Sequence, residues 1–264
     1  GNWRDSATVP RVLEDLLRRF AFARIVFVGD RGMVTRKNLA QLKDGGQGYL
    51  VGLTRRRRPE IEVLIDRATG PWTECPAGIN AHEKGPLAPK TRVQEVASDE
   101  PGVRVFVVES EERRAYETSM RKRAMERTRV PLEALQARVA ARKLRRPEKI
   151  GAAAARILAR HHGGRYYDWR LEDGAFCFFE HPVHLRRETK YEGKYLIQTE
   201  EKDLTPVAAV RHYKELSDIE RGFRSLKDPI GMRPIFHRQE SRVRAHIFVA
   251  ALALDRDLYG ARLG

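Results

Sequence analysis

Two cysteines in 264 residues, Cys75 and Cys177, are too few and too far apart for a disulfide framework. A reducing cytoplasm is the simpler setting for such a chain. Long apolar runs are also missing. The longest, 247–254 and 24–29, fall short of the about 18 residues that a membrane helix needs. That excludes a helical membrane span, and no secretory leader is legible. The chain opens Gly1-Asn-Trp without a methionine, so the expectation is a fragment or trimmed piece of something longer. Negative charge is scarce: 36 Asp and Glu face 51 Lys and Arg, a net +15. The excess makes a polyanion the leading partner class, with nucleic acid ahead of membrane. A genome biased toward Arg and Ala is the bland alternative. Hydrophobic residues, at 41%, still permit a sizeable core, as one large domain or as a core with an insertion.

The first fifty residues alternate in an α/β manner. Val12, Leu13, Leu16, Leu17 and Phe20 recur with helical spacing. The apolar run Arg24-Ile-Val-Phe-Val-Gly29 predicts a buried parallel strand covered on both faces. It ends at Asp30-Arg-Gly-Met33, where an α/β sheet places its ligand crevice, so Asp30 is a candidate metal ligand or general base. Thr35 is better placed than Asp30 to cap the next helix, predicted to run to about Lys43 and to stop at Gly45-Gly-Gln-Gly48. Tyr49–Leu53 predicts a second buried strand. The grammar breaks at Arg55, Arg56, Arg57 and Arg58, followed by Pro59, which reads as an exposed loop and a phosphate contact, or equally as a solvated linker.

From Glu60 to about Lys190 the pattern differs. Glu62–Ile65 and Val103–Val108 look strand-like, and Asp66, at the end of the first, rivals Asp30 as a strand-end acid. Ser110–Lys149 predicts a basic helical region interrupted at Pro131, with 13 Lys/Arg against 6 Glu. Its dense clusters, Arg121, Lys122 and Arg123, then 142–146, would follow a DNA backbone if held on one face; spread around the helix they would only be solvated. Gly151–Arg160 predicts an Ala-rich helix, and Tyr166–Arg170 with Ala175–Phe179 a hairpin or edge strands. His161, His162, Cys177, His181 and His184 do not have the spacing of a common structural zinc site. Near Tyr191 the α/β grammar returns with a strand at Lys194–Thr199 and a helix opening at Leu204-Thr-Pro206. Beyond it lie an extended run at 233–237 and a final helix over 243–258.

That penultimate helix carries Tyr213, Glu220, Arg224 and Lys227 within a stripe roughly 60° wide. Leu216, Ile219, Phe223 and Leu226 form the adjoining apolar stripe. One carboxylate thus stands at the edge of the core beside a phenol and two cations, which suits a shared metal and an anionic substrate. An ordinary i,i+4 ion pair between Glu220 and Arg224 explains the same residues equally well on this stretch alone.

Tyr213-x2-Leu216-x3-Glu220-x6-Lys227 is similar to the Tyr-x2-Arg-x3-Glu-x6-Lys signature of bacterial insertion-sequence transposases of the DDE type, the group numbered four. Asp30-Arg-Gly-Met33 after a buried strand resembles that family's second acidic motif. The leading Gly1–Thr8, the run 233–237 and the segment 246–254 resemble flanking parts of its catalytic domain. The resemblance implies an α/β fold with a ribonuclease-H-like core, incomplete at the N-terminus. Residues 1–54 and 191–264 would form the core, and 55–190 a basic, largely helical insertion with some strands. It further implies Asp30 and Glu220 as catalytic and metal-holding acids, Mg2+ or Mn2+ as the ion, and Tyr213 and Lys227 as contacts to DNA near the cleaved phosphate. Leu216 departs from the signature Arg, and Arg224 is the candidate substitute. No residue before Asp30 matches the family's first Asp, so the chain alone is expected to be inactive, while a complete parent would cut and join DNA strands. The implied partners are double-stranded DNA, at transposon ends and target, and a second copy in the full-length protein; no membrane is implied. The implied setting is a bacterial, nucleoid-associated protein. A DNA-binding remnant without catalysis, or another ribonuclease-H-like nuclease, are the alternatives.

Overall fold

The computed structural model describes residues 14–20, 24–30, 35–53, 59–76, 89–160, 162–227, 239, 241, 242, 245, 248 and 249, without the side chains of 36 and 217–227. After a helical segment at 14–19 the elements are β1 (Val26–Gly29), α1 (Arg36–Asp44), β2 (Gly48–Leu53), α2 (Pro59–Asp66), β3 (Thr73–Glu74), β4 (Thr91–Val96) and β5 (Arg104–Ser110). Then follow α3 (Glu111–Ala140), α4 (Pro147–Arg160), β6 (Tyr167–Glu172), β7 (Ala175–Glu180), α5 (Pro182–Tyr191), β8 (Lys194–Thr199) and α6 (Pro206–Lys227).

Six strands make one sheet in the order β1-β2-β8-β5-β4-β3. β1 and β2 are parallel, joined through α1, and every other pairing is antiparallel. Thr35 caps α1, its hydroxyl accepting from the Asn38 N–H at 3.1 Å, and Gly45 follows the last turn. The strands alternate between two apolar layers. Leu50, Val93, Phe106, Val108, Tyr195 and Ile197 pack with Ala209 and Val210 of α6 on one face. On the other face Val96, Val105, Val107 and Leu196 meet Ile61 and Ile65 of α2, while Tyr49 and Val51 meet Leu42 of α1. Each fully buried large side chain contributes about 1.5–3 kcal/mol, so this doubly covered sheet centre dominates the stability of the body.

A second core lies outside the sheet. Leu132, Leu135 and Val139 of α3 pack with Ile150 and Ala154 of α4 and with Tyr167 and Phe176 of the β6–β7 hairpin. The hairpin turns at Asp173-Gly174, both at positive φ, the conformation that a two-residue turn of this kind requires. The two cores are joined by α3, which starts directly from β5 with Ser110 as its cap.

Three expectations are corrected here. Glu62–Ile65 is helix, not strand: Pro59 opens α2, Glu60 and Glu62 occupy its first turn, and Ile61 and Ile65 are buried one turn apart. A four-residue apolar run fits either period. Pro131 does not interrupt the basic helix, because α3 continues through it with Thr128, Leu132, Leu135 and Val139 buried on one side. Packing there outweighs the backbone hydrogen bond that proline removes. β1 pairs in parallel as expected, but it lies at the edge of the sheet with Val26 43% exposed. The predicted α1, β2, α4, β8, the β6–β7 hairpin and α6 match to within a few residues.

Candidate active site

α6 runs along the sheet in the direction of β1 and β2. At its start, Arg104 of β5 grips the preceding loop. One Arg104 Nη donates to the carbonyls of Glu201, Lys202 and Leu204 at 2.8–2.9 Å, and its Nε and other Nη hold the Glu95 carboxylate. Eight residues on from the start of α6, Lys214 Nζ donates to Thr91 Oγ1 at 3.0 Å, beside the opposite end of β5. Burial pushes the Lys214 ammonium below its usual pKa. Tyr213 packs into the sheet-side core with its ring 5.8 Å from that of Tyr195. It rests directly on Gly52, where any Cβ would collide with the phenol. Glycine is therefore needed at position 52 for close approach, not for a turn.

This geometry fixes the level at which α6 reaches the carboxyl ends of β1 and β2. Gly29, the last residue of β1, is paired with Val51, so Asp30 follows at the level of Gly52. Val28 packs on the α6-side core, and Asp30, the residue after β1, is exposed. Glu220 lies two turns beyond Tyr213, about 10 Å along the helix axis, and on the same helical stripe. The backbone of α6 is helical through Glu220, Arg224 and Lys227, whose side chains are outside the described residues. Asp30 thus follows the last residue of β1, and the α6 backbone continues as helix through Glu220 beyond the level of Gly52. Carboxylates such as these suit a hard, oxygen-seeking divalent ion that completes its shell with water and phosphate. Among the described residues no group of three ligating side chains converges.

The rival acid is spent elsewhere. Asp66 ends a helix, not a strand, and its carboxylate is bonded to Lys190 Nζ at 2.8 Å and to the Tyr191 hydroxyl at 3.1 Å. The histidine group has a structural use as well: His181 caps α5, its Nδ1 accepting from the His184 N–H, with the two rings stacked 3.7 Å apart.

The basic residues separate into two kinds. Arg121 is turned inward, and its Nε donates at 2.6 Å to Glu192, a carboxylate with a side chain only 9% exposed. Thr118 Oγ1 donates to the other Glu192 oxygen at 2.7 Å, and the Gly193 N–H donates to Glu117 at 2.8 Å. Arg121 therefore ties α3 to the turn before β8, and the hydrogen bond to Glu192 raises its pKa further. Its neighbours Lys122 and Arg123 are exposed and make no ion pair with a described residue. Arg55, Arg56, Arg57, Arg58, the run 233–237 and most of 243–258 lie outside the described residues. The positioning residues Arg104, Gly52 and Lys214 carried no signal in the sequence, since their roles toward α6 and its loop depend on partners 97–161 positions away.

A family model described as the transposase DDE domain matches residues 1–255. Comparison with curated proteins and with solved structures finds no match. No helix among the described residues is long and apolar enough to cross a membrane.

Proposed function

We propose that this chain, which belongs to the transposase DDE-domain family, uses Asp30 and Glu220 to hold divalent metal at the sheet end, as the metal-holding part of a site for DNA phosphodiesters. The observation that carries the reading is Tyr213 seated on Gly52. It brings α6 to the sheet at the level where Asp30 leaves β1. The finer resemblance is to the insertion-sequence group numbered four. It supports a ribonuclease-H-like core formed by residues 1–54 and 191–264, with 55–190 inserted. The first part of that insertion, through β5, extends the sheet of the core.

The family is generally divalent-metal dependent, and Mg2+ or Mn2+ is the ion we assign. When bound, such an ion supplies charge stabilisation at the attacked phosphorus and a more acidic water or 3′-hydroxyl. The chain's own residues do the rest. Asp30 and Glu220 present carboxylate oxygens, and Lys227 and Arg224 offer positive charge on the stripe of Glu220. Tyr213 sets the phase of α6, a role that its packing supports better than a direct DNA contact. Two acids, rather than the three of the family pattern, are matched in this sequence. We therefore propose that this chain alone binds metal and DNA but does not cut.

Mn2+ binding followed by water proton relaxation tests the metal assignment. Asp30→Asn and Glu220→Gln should each weaken it at least tenfold, while Asp66→Asn should not. Equal binding by all variants would remove the site. Cleavage of supercoiled DNA by the unaltered chain with Mg2+, abolished by Glu220→Gln, would overturn the claim that two acids are insufficient.

A further inference from the structure

The chain's positive charge is not spread evenly once its ion pairs are removed. In the sheet body Arg24, Lys43, Arg67, Arg92 and Arg104 are each paired with a carboxylate. On α3 the pattern is different. Arg123, Arg127 and Arg138 are exposed and make no ion pair with a described residue. At 100° per residue they fall within an arc about 60° wide, on one flank of the helix's exposed side. The other flank neutralises itself, because Arg129 holds both Glu126 and Glu133. No Asp or Glu of α3 falls within the arginine arc. The helix then delivers the chain into a turn with Arg142, Lys143 and Arg146, all exposed and all without an ion pair to a described residue.

We propose that this arc of α3 and the turn that follows it form a duplex-DNA backbone track, distinct from the sheet-end acids. The proposal rests on the reading of DNA as the partner and adds the surface that grips it. Arg123 to Arg138 spans about 22 Å along the helix axis, and a duplex offers one negative charge per about 1.7 Å of its own axis. Unpaired guanidinium groups over that span, with no acid in their arc, match such a surface in charge. A second copy of the chain does not, since two such arcs repel. Arg121 is excluded from the track although it lies in the densest basic run, because its guanidinium is held by the nearly buried Glu192. The track runs along the arm, and the Glu192–Arg121–Thr118 cluster ties the helix just before it to the turn preceding β8.

Binding to a fluorescent duplex of arbitrary sequence, measured by anisotropy across a salt series, tests this. The triple variant Arg123→Gln, Arg127→Gln, Arg138→Gln should reduce the steepness of log K against log salt by about 2–3, since each phosphate contact contributes about 0.9. Affinity at 0.1 M salt should fall at least tenfold. The triple Arg→Lys variant, with charge retained, should keep the slope. A second triple, Arg24→Gln, Lys43→Gln, Arg67→Gln, removes the same charge from paired sites and should change the slope by less than about one. Circular dichroism checks that each variant is folded. Equal losses in both Gln triples, or an unchanged slope in the α3 triple, would overturn the track. The Asp30→Asn, Glu220→Gln double variant should keep the slope and lose Mn2+ binding, whereas the α3 triple should keep Mn2+ binding. The two readings thus fail separately.

Discussion

The sheet body and the α3–α4 arm differ in what they do with charge. Around the sheet, basic side chains with a carboxylate partner prevail over those without one: Arg104 chelates a loop and Arg92 lies against Glu109. On the arm, the cations without an ion pair outnumber those with one. Surface ion pairs contribute little to stability. The difference is therefore one of availability. The sheet spends most of its cations on ion pairs within the body, and the arm leaves its cations for a polyanion. A net +15 is the sum of these two unlike regions, and composition alone does not separate them.

The largest expected effect probes the sheet. Phe106→Ala, at a fully buried position, should cost about 3–5 kcal/mol in urea unfolding. Leu132→Ala in the arm should cost about 2–5 kcal/mol. Its loss of protection in hydrogen exchange should be greatest for α3, α4 and the hairpin if the arm's core is a local unit. Uniform loss across β5 and β8 would show that the two cores unfold as one.

The joint between the regions comes next. Glu192→Ala leaves Arg121 without its carboxylate at a site where that carboxylate is nearly buried. A cost of about 3–5 kcal/mol is expected for breaking such a pair from one side. Substituting Lys122, one position further along, should change stability by under about 0.5 kcal/mol. Similar values for the two would mean that the joint is not built on Glu192. Gly52→Ala should cost about 1–3 kcal/mol through overpacking against Tyr213. Adding Tyr213→Ala should relieve that strain, a coupling read from a double-mutant cycle.

The smallest effect is one of pH. Burial lowers the pKa of Lys214 in the folded state below its ordinary 10.5. Between the lowered value and 10.5 the unfolded chain holds more protons than the folded one. The contribution of this group to stability therefore rises with pH across that window. Lys214→Met should raise the urea midpoint at pH 7, with the advantage shrinking toward pH 10. An advantage that grows with pH would contradict the assignment of burial as the cause.

Much of this fold was legible because local signals and tertiary packing agreed. Thr35 with Gly45 marked both ends of α1, the runs 166–170 and 175–179 marked the hairpin, and the apolar runs of β2 and β8 became the sheet centre. The failures occurred where a short signal was ambiguous or was overruled. Ile61 and Ile65 fit a helix as well as a strand, and Pro131 sits in a helix held by its buried neighbours. Of the candidate site, Asp30 and the Tyr213 stripe could be read from spacing. Gly52 under Tyr213, the grip of Arg104 and the diversion of Arg121 to Glu192 could not. Each is a contact between distant segments, and no local pattern encodes it.

The shared metal position of Asp30 and Glu220 is tested most directly by iron-directed backbone cleavage. Fe2+ substituted for Mg2+, with ascorbate and peroxide, cuts the polypeptide next to the bound ion. The account predicts two dominant cuts, near residues 30 and 220, that disappear together in Asp30→Asn and again in Glu220→Gln. Cuts at only one of these positions, or cuts at both that survive either substitution, would contradict it.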